Sequence, residues 1–233
     1  MTILGIDTAG RTMSVALLEN DTLLCEQTLA TGLTHSETLL PTVDAVLKAA
    51  GKTCADIDLF GVCAGPGSFT GLRIGLCAVK GLAFPANTTC AAVSTLEALA
   101  WSHVGTGTVV AAQDARRGEV YWAAFDLATH QRITPDAASP VEKIRAVAET
   151  CPKPLLFVGD GAYLCESAFS AVPGVLPCPA ALRAARAAGV CLAAKAMAER
   201  GETCPPAALL PSYHRLSQAE RQRAERLAQT TEG

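Results

Sequence analysis

Residues 2–101 carry a run of apolar patterns that few folds can accommodate. "TILGIDT" reads as a strand, followed by "TMSVALLE" and "DTLLCEQTL", with Asn20-Asp21 as the turn between the last two. Leu39, Leu40, Val43, Val46, Leu47 and Ala50 then recur at three and four residues, which is a helical face. Thr34-x-x-Glu37 offers a capping box before it, Pro41 marks a first turn or a kink, and Gly51 ends it. "IDLFGVCAG" is a buried strand, "GPGSFTGLRIGLCAVKGLAF" a loop and a helix, and "TTCAAV" another strand. "STLEALAW" opens a further helix with Ser94 or Thr95 as its cap. The order is βββαβαβα.

That order is the one found in a single ribonuclease-H-like domain of the actin, sugar kinase and Hsp70 group, so an α/β fold of this class is expected by analogy. The stretch "HVGTGT" breaks the pattern. Beyond it, "VVAAQDARRGEVYWAAFD" reads as a hairpin turning at Arg116-Arg117-Gly118 and "VEKIRAVAET" as a helix. "PLLFVGDGA" reads as a strand with a glycine turn, and "AALRAARAAGVCLAAKAMAERG" as an alanine-rich helix, broken at Gly189 if at all. Two such domains are expected, residues 1–103 and a smaller, less regular one at 104–233 ending in a polar tail. The charge agrees, with five Lys/Arg against nine Asp/Glu in residues 1–100 and fourteen against thirteen after them.

Half of the 233 residues are hydrophobic, 18% are charged, and the net charge is −3. Such a chain is globular and has no overall field to gather nucleic acid. Its ten cysteines form no C-x-x-C pair and lack zinc-ligand spacing, so they read as buried free thiols of a cytoplasmic protein. The N-terminus lacks a signal-peptide pattern, and no apolar run of about 18 residues is read, so no membrane association is expected.

The motifs are individually modest. Asp7-Thr8-Ala9 ends the first strand; in nucleotide-binding members of the fold an aspartate there faces metal and phosphate, while the plain alternative is a turn cap. Gly65-Pro66-Gly67 could present backbone N–H groups to an anion, or could be a strand-to-helix turn, and no Walker-type lysine follows. Gly71 and Gly75 lie four apart on one helix face, so either the chain's own sheet or a partner helix comes close there. Ser36, Ser68 and Ser94 lack a nucleophile elbow. His35, His103, His130 and His214 are scattered, and Arg116, Arg117 and Glu119 read as a solvated hairpin tip.

Together, "GIDTAG", "THSETLLP", "DIDLFGVCAGPGSFTGLRIGL", "QDARRGEVYWAAF" and "FVGDGA" resemble the TsaB family, formerly YeaZ, in order and over nearly the whole chain. That family is similar to TsaD, the transferase that makes threonylcarbamoyladenosine beside the tRNA anticodon. TsaD carries two histidines on successive helical turns that hold a metal. Here Val93-Ser94-Thr95-Leu96-Glu97-Ala98-Leu99 stands in that place, with Thr95 and Leu99 at the histidine positions. Threonine is a poor ligand and leucine none, so the resemblance implies no metal and no catalysis by this chain.

The resemblance further implies a scaffold or activator subunit, partnered with a TsaD-like protein, reaching a TsaE-like ATPase through the complex, and self-associating when alone. Its interface is expected on the two helices of the first domain, at His35, Leu39, Leu40, Gly71, Leu72, Ile74 and Gly75. On that reading Gly75→Leu weakens association and spares the fold. Asp7, Thr8, Gly65, Pro66 and Gly67 would be the remnant of a phosphate loop. The chain would have no cofactor of its own, with nucleotide only at a subunit interface. It would touch tRNA only indirectly, or through Arg215, Arg221, Arg223 and Arg226 of the tail. Two rivals are a small kinase or ATPase of the same fold, with Gly159-Asp160-Gly161-Ala162 as its adenosine loop, and a metallopeptidase-like enzyme.

Overall fold

The computed structural model describes residues 1–214. Its first sheet is built from β1 (Thr2–Asp7), β2 (Met13–Glu19), β3 (Thr22–Leu29), β4 (Leu59–Gly65) and β5 (Thr89–Ser94), in the order β3-β2-β1-β4-β5. The first three strands run antiparallel, and β4 and β5 join parallel to β1. Asn20 and Asp21 both take positive φ in the β2–β3 turn, as a tight hairpin requires. Helix α1 (His35–Ala49) packs on β2 and β3, and α2 (Phe69–Ala83) packs on β4 of the same face. Leu4, Ile6, Val15, Leu17, Phe60 and Val62 project from the strands into that layer, where Leu39, Val43, Val46, Leu76 and Val79 meet them.

The second sheet repeats this plan. It contains β6 (Thr108–Arg116), β7 (Glu119–Asp126), β8 (Ala137–Pro140), β9 (Leu155–Val158) and β10 (Val175–Leu176), in the order β10-β9-β6-β7-β8. Strands β6 to β8 form the antiparallel part, and β9 and β10 extend it in parallel. Helices α4 (Arg145–Thr150) and α5 (Ala162–Phe169) stand where α1 and α2 stand in the first half. The fold is therefore the two-domain actin and sugar kinase-like α/β fold. Strands β8 and β10 were not expected from the sequence; they are short edge strands without an apolar period.

Two helices lie between the sheets. Helix α3 (Thr95–Trp101) follows β5 but packs on β6 and β7 of the second sheet. Helix α6 (Ala187–Glu199) comes late in the chain yet covers the open face of the first sheet, against β1, β2, β4 and α3. Its small side chains make this contact close: a Cβ on Gly5 of β1 would lie 2.6 Å from the Ala187 carbonyl oxygen and the Cys191 sulfur. The helix runs through Gly189 unbroken and starts later than the sequence pattern suggested, after a 3-10 turn at Ala180–Leu182. Thr34 caps α1 without a side-chain hydrogen bond, so the expected capping box does not form there; Thr53 and Asp56 form one instead.

The stretch Phe69–Ala86 is long and apolar enough to cross a membrane by length and composition, which corrects the sequence count. A third of it is buried in the fold, with Leu72, Leu76 and Val79 in the core beneath β4.

Candidate functional site

Parallel strands present their carboxyl ends at one edge of a sheet, where loops can converge on a ligand. In this chain β1 and β4 of one sheet and β6 and β9 of the other end at a common cleft of about 310 Å³. Its walls include Ala9, Gly10 and Arg11 after β1, Gly67 and Ser68 before α2, Gln113, Asp114 and Arg116 of β6, and Asp160 after β9. Ser212, Tyr213 and His214 close one side.

Asp7, the last residue of β1 and two residues before the cleft-lining Ala9, does not itself line the cleft and is 1% exposed. Its Oδ1 accepts the Ala9 N–H at 2.8 Å, while Oδ2 makes no hydrogen bond and has the Cys63 thiol beside it. Burial pushes its carboxyl up to about 6, against opposing contributions from the Ala9 hydrogen bond, Cys63 and His35. Asp160 is also raised, first by burial, although its Oδ1 accepts the Asp114 N–H at 3.0 Å and Arg11 and Arg116 lie near. Gln113, 4% exposed, leaves Oε1 without a partner. Of these, Gln113 and Asp160 line the cleft, and Gln113 brings to it a buried acceptor with unused capacity.

The Gly65–Gly67 loop is clasped from both sides by its own chain. The Ser68 N–H donates to the Ala9 carbonyl at 2.7 Å, and the Gly71 N–H donates to Ser68 Oγ at 3.2 Å. A Cβ on Gly67 would sit 2.6 Å from the Ala9 carbonyl oxygen, and one on Gly65 would collide with the Ser212 carbonyl. Two of the amides that a phosphate loop would offer are therefore already in use.

Gly71 and Gly75 face inward. Thr8 Oγ1 donates to the Gly71 carbonyl at 2.8 Å, and a Cβ on either glycine would collide with Thr8. Leu39 and Leu72 are 1% and 0% exposed. His35 is half-buried and its Nε2 lies 3.1 Å from the Gly10 carbonyl oxygen. Within the chain, Gly71, Leu72, Gly75 and Leu39, all expected at an interface, are buried, and the backbone that needs the two small residues is the end of β1. Of the seven residues expected at an interface, Leu40 is exposed at 55% and Ile74 is half-buried.

Thr95 and Leu99 are both fully enclosed. Thr95 Oγ1 has no hydrogen-bond partner, and Leu99 lines a second hollow with Arg11, Gly159, Asp160 and Arg183. A hydroxyl and an isobutyl group do not fit a metal that two imidazoles would hold. Among the described residues no three His, Cys, Asp or Glu side chains are grouped to hold a metal.

Ser94 Oγ caps α3 through the Glu97 N–H at 3.3 Å and donates to Asp136 at 2.7 Å. Ser36 is exposed on α1. Arg116 and Arg117 take positive φ in the β6–β7 hairpin, and Arg116, expected only as a solvated tip, also lines the cleft 3.8 Å from Asp114. His103 and His130 lie away from the cleft, where His130 stacks on Trp101 with centroids 4.2 Å apart. Gln113, Asp114 and the Ser212–His214 strap were missed. The aspartate of the "QDARRGE" stretch, near the end of β6, was itself the available signal for Asp114, whereas nothing local marks the strap. The tail arginines Arg215, Arg221, Arg223 and Arg226 lie outside the described residues.

A family model described as TsaD, tRNA N6-adenosine threonylcarbamoyltransferase, matches residues 30–223. The chain is 42% identical over 133 residues to the tRNA threonylcarbamoyladenosine biosynthesis protein TsaB of Escherichia coli, a match spanning 54% of this chain and 55% of that protein. It is 33% identical over 168 residues to TsaB of Bacillus subtilis, spanning 70% of this chain and 73% of that one. With the E. coli relative the match thus spans about half the relative's length. Among solved structures, a Pseudomonas aeruginosa protein described as similar to peptidase YeaZ superposes with a TM-score of 0.75 at 30% identity, covering 92% of this chain and 99% of that one.

Proposed function

The chain belongs to the TsaB (YeaZ) family, and from that membership we propose that it is a non-catalytic subunit of the machinery that makes threonylcarbamoyladenosine in tRNA. The observation that supports a subunit over a catalyst is the pair Thr95 and Leu99, enclosed side chains that offer a metal no imidazole. Asp7 and the Gly65–Gly67 loop keep the frame of a phosphate site, while the Ser68 and Gly71 amides at the start of α2 are spent on Ala9 and Ser68. The chain on its own therefore holds nucleotide weakly, and a nucleotide site is completed at a subunit interface.

The partner is a TsaD-like catalytic subunit, with a TsaE-like ATPase joining through the complex and self-association when the partner is absent. The docking face uses the outward sides of α1 and α2, where Leu40 and Ile74 are accessible. Transfer RNA binds the partner, since the first hundred residues are acidic. The ten free cysteines fit a cytoplasmic protein.

Co-purification with a TsaD-like protein, followed by threonylcarbamoyl transfer to tRNA with and without this chain, tests the reading. The chain alone should transfer nothing, and adding it should raise the partner's rate at least tenfold. Full activity of the partner without it, or transfer by the chain alone, overturns the proposal.

A further inference from the structure

Cys90 and Cys204 are paired across two backbones. Cys90 lies on β5, the edge strand of the first sheet, and Cys204 lies in the segment after α6 that runs alongside it. Each N–H donates to the other's carbonyl at 2.8 Å, so the two are directly opposite in an antiparallel bridge. Residues so placed have Cα atoms about 5.5 Å apart and side chains on the same face. A disulfide requires about 4.4–6.8 Å between Cα atoms and about 3.5–4.5 Å between Cβ atoms, so closing the bond draws the two Cβ atoms slightly together from the spacing of a hydrogen-bonded pair. Both side chains join the layer between the first sheet and α2, Cys90 fully buried and Cys204 half-buried. The other eight cysteines form no such bridge among the described residues.

The geometry points to Cys90 and Cys204 as an oxidisable thiol pair that closes to an intramolecular disulfide and pins the following strap to the first sheet. The co-reactant is a low-molecular-weight disulfide such as oxidised glutathione. The Cys204 thiolate, the accessible member, attacks one sulfur of that disulfide, bonds to it and expels one thiolate. Cys90 Sγ then attacks Cys204 Sγ, forms the Cys90–Cys204 bond and expels the second thiolate. The two protons released by the cysteines pass to the two expelled thiolates, and two electrons pass from the pair to the reagent. Burial pushes the Cys90 thiol up to about 11, with Cys204 adding to the rise, whereas Lys80 opposes the rise at Cys204. Its exposure makes half-buried Cys204 the thiol that reacts first and buried Cys90 the one that resolves.

The strap gives the bond a consequence. After Cys204 the chain buries Leu209 in the core, and the Ser212 N–H donates to the Ala64 carbonyl at 2.7 Å. Ser212, Tyr213 and His214 then wall the cleft. Fixing Cys204 to β5 fixes the near end of that wall. The inference is independent of the function assigned above.

The test uses the full chain carrying Cys77→Ser, because Cys77 is an exposed competitor on α2. Native protein is incubated with oxidised glutathione at pH 8, quenched in acid, digested without reduction and mapped by mass spectrometry. The expected result is one peptide pair joined between Cys90 and Cys204, lost on reduction, with two of the nine remaining thiols consumed. Adding Cys204→Ser should leave Cys90 unmodified. A stable glutathione adduct on Cys204 with Cys90 free, no reaction at either residue, or oxidation of Cys90 in the Cys204→Ser protein overturns the proposal.

Discussion

Thr8 and Gly71 interlock: the Thr8 hydroxyl donates to the Gly71 carbonyl at 2.8 Å, and the Thr8 carbonyl occupies the space a Gly71 side chain would need. Gly75 meets the Thr8 hydroxyl one turn further along α2. The close approach that these glycines permit is thus intramolecular, and it seats α2 against the end of β1 at the cleft.

Gly75→Leu should therefore damage the fold itself. Overpacking a filled core costs about 1–3 kcal/mol. For a chain of this size each kcal/mol lowers Tm by roughly 2–4 °C. Urea unfolding of the monomer should show the loss, and Gly71→Ala should show a comparable one, because the obstructing atom there is backbone. Undiminished stability with selectively weakened association would return Gly75 to a subunit contact.

Leu40→Asp is the substitution expected to act on association. The side chain is 55% exposed on α1, so the fold loses little by the change. A charge placed in a docked apolar face commonly costs 1–2 kcal/mol or more, and each 1.4 kcal/mol is tenfold in affinity. Calorimetric titration with a TsaD-like partner should give a Kd raised about tenfold, at an unchanged melting temperature. An unaltered Kd would move the docking face away from α1.

The strands of the first half were legible because their apolar runs are long and their turns carry explicit signals, as at Asn20-Asp21. The direction of Gly71 and Gly75 was legible in principle. Leu72, Leu76 and Val79 mark the buried face of α2, and the two glycines lie within it. Smallness alone does not say whether a partner or the chain's own strand end comes close, and in the fold Thr8 at the end of β1 does. The cleft was only half legible, since Asp7 and Gly65–Gly67 are local motifs. Asp114, Gln113 and Ser212 reach the same cleft through a second sheet and a long return of the chain, contacts that no local period encodes. The crossing of α6 onto the first sheet is of the same kind: its alanines specify a closely packed helix without naming the sheet it covers.

Tyr213→Ala should loosen the strap without unfolding the domain. The ring stacks on Phe69 at 4.4 Å between centroids, and its hydroxyl accepts from Arg73 Nε at 3.0 Å. An aromatic pair of this kind contributes about 0.5–1.5 kcal/mol. Hydrogen exchange should quicken at the Ser212 amide, by up to roughly tenfold, while amides of β4 keep their protection. Unchanged exchange at Ser212 would mean that the Leu209 anchor alone holds the strap.

Asp7 makes stability depend on pH in a direction opposite to that of a salt-bridged carboxylate. Its pKa is 3.8 in an unperturbed chain and about 6 in the fold, raised chiefly by burial. Below pH 3.8 the group is protonated in both states and favours neither. Between pH 3.8 and about 6 the folded chain holds the proton more firmly, so the unfolded state binds fewer protons and stability falls as pH rises. Above about 6 the folded protein carries a buried carboxylate whose Oδ2 has no hydrogen bond, and the loss is complete. At 1.36 kcal/mol for each pH unit, the penalty at neutral pH is on the order of 3 kcal/mol. Asp7→Asn retains an acceptor for the Ala9 N–H and removes the charge. Urea unfolding of both proteins should give a variant more stable at pH 7 by about 2–3 kcal/mol, with the gap narrowing as pH falls through 6 and closing by about pH 4. A constant gap across that range would show that the substitution acts through packing, and a less stable variant at pH 7 would show that the carboxylate has a partner in solution that pairs its charge.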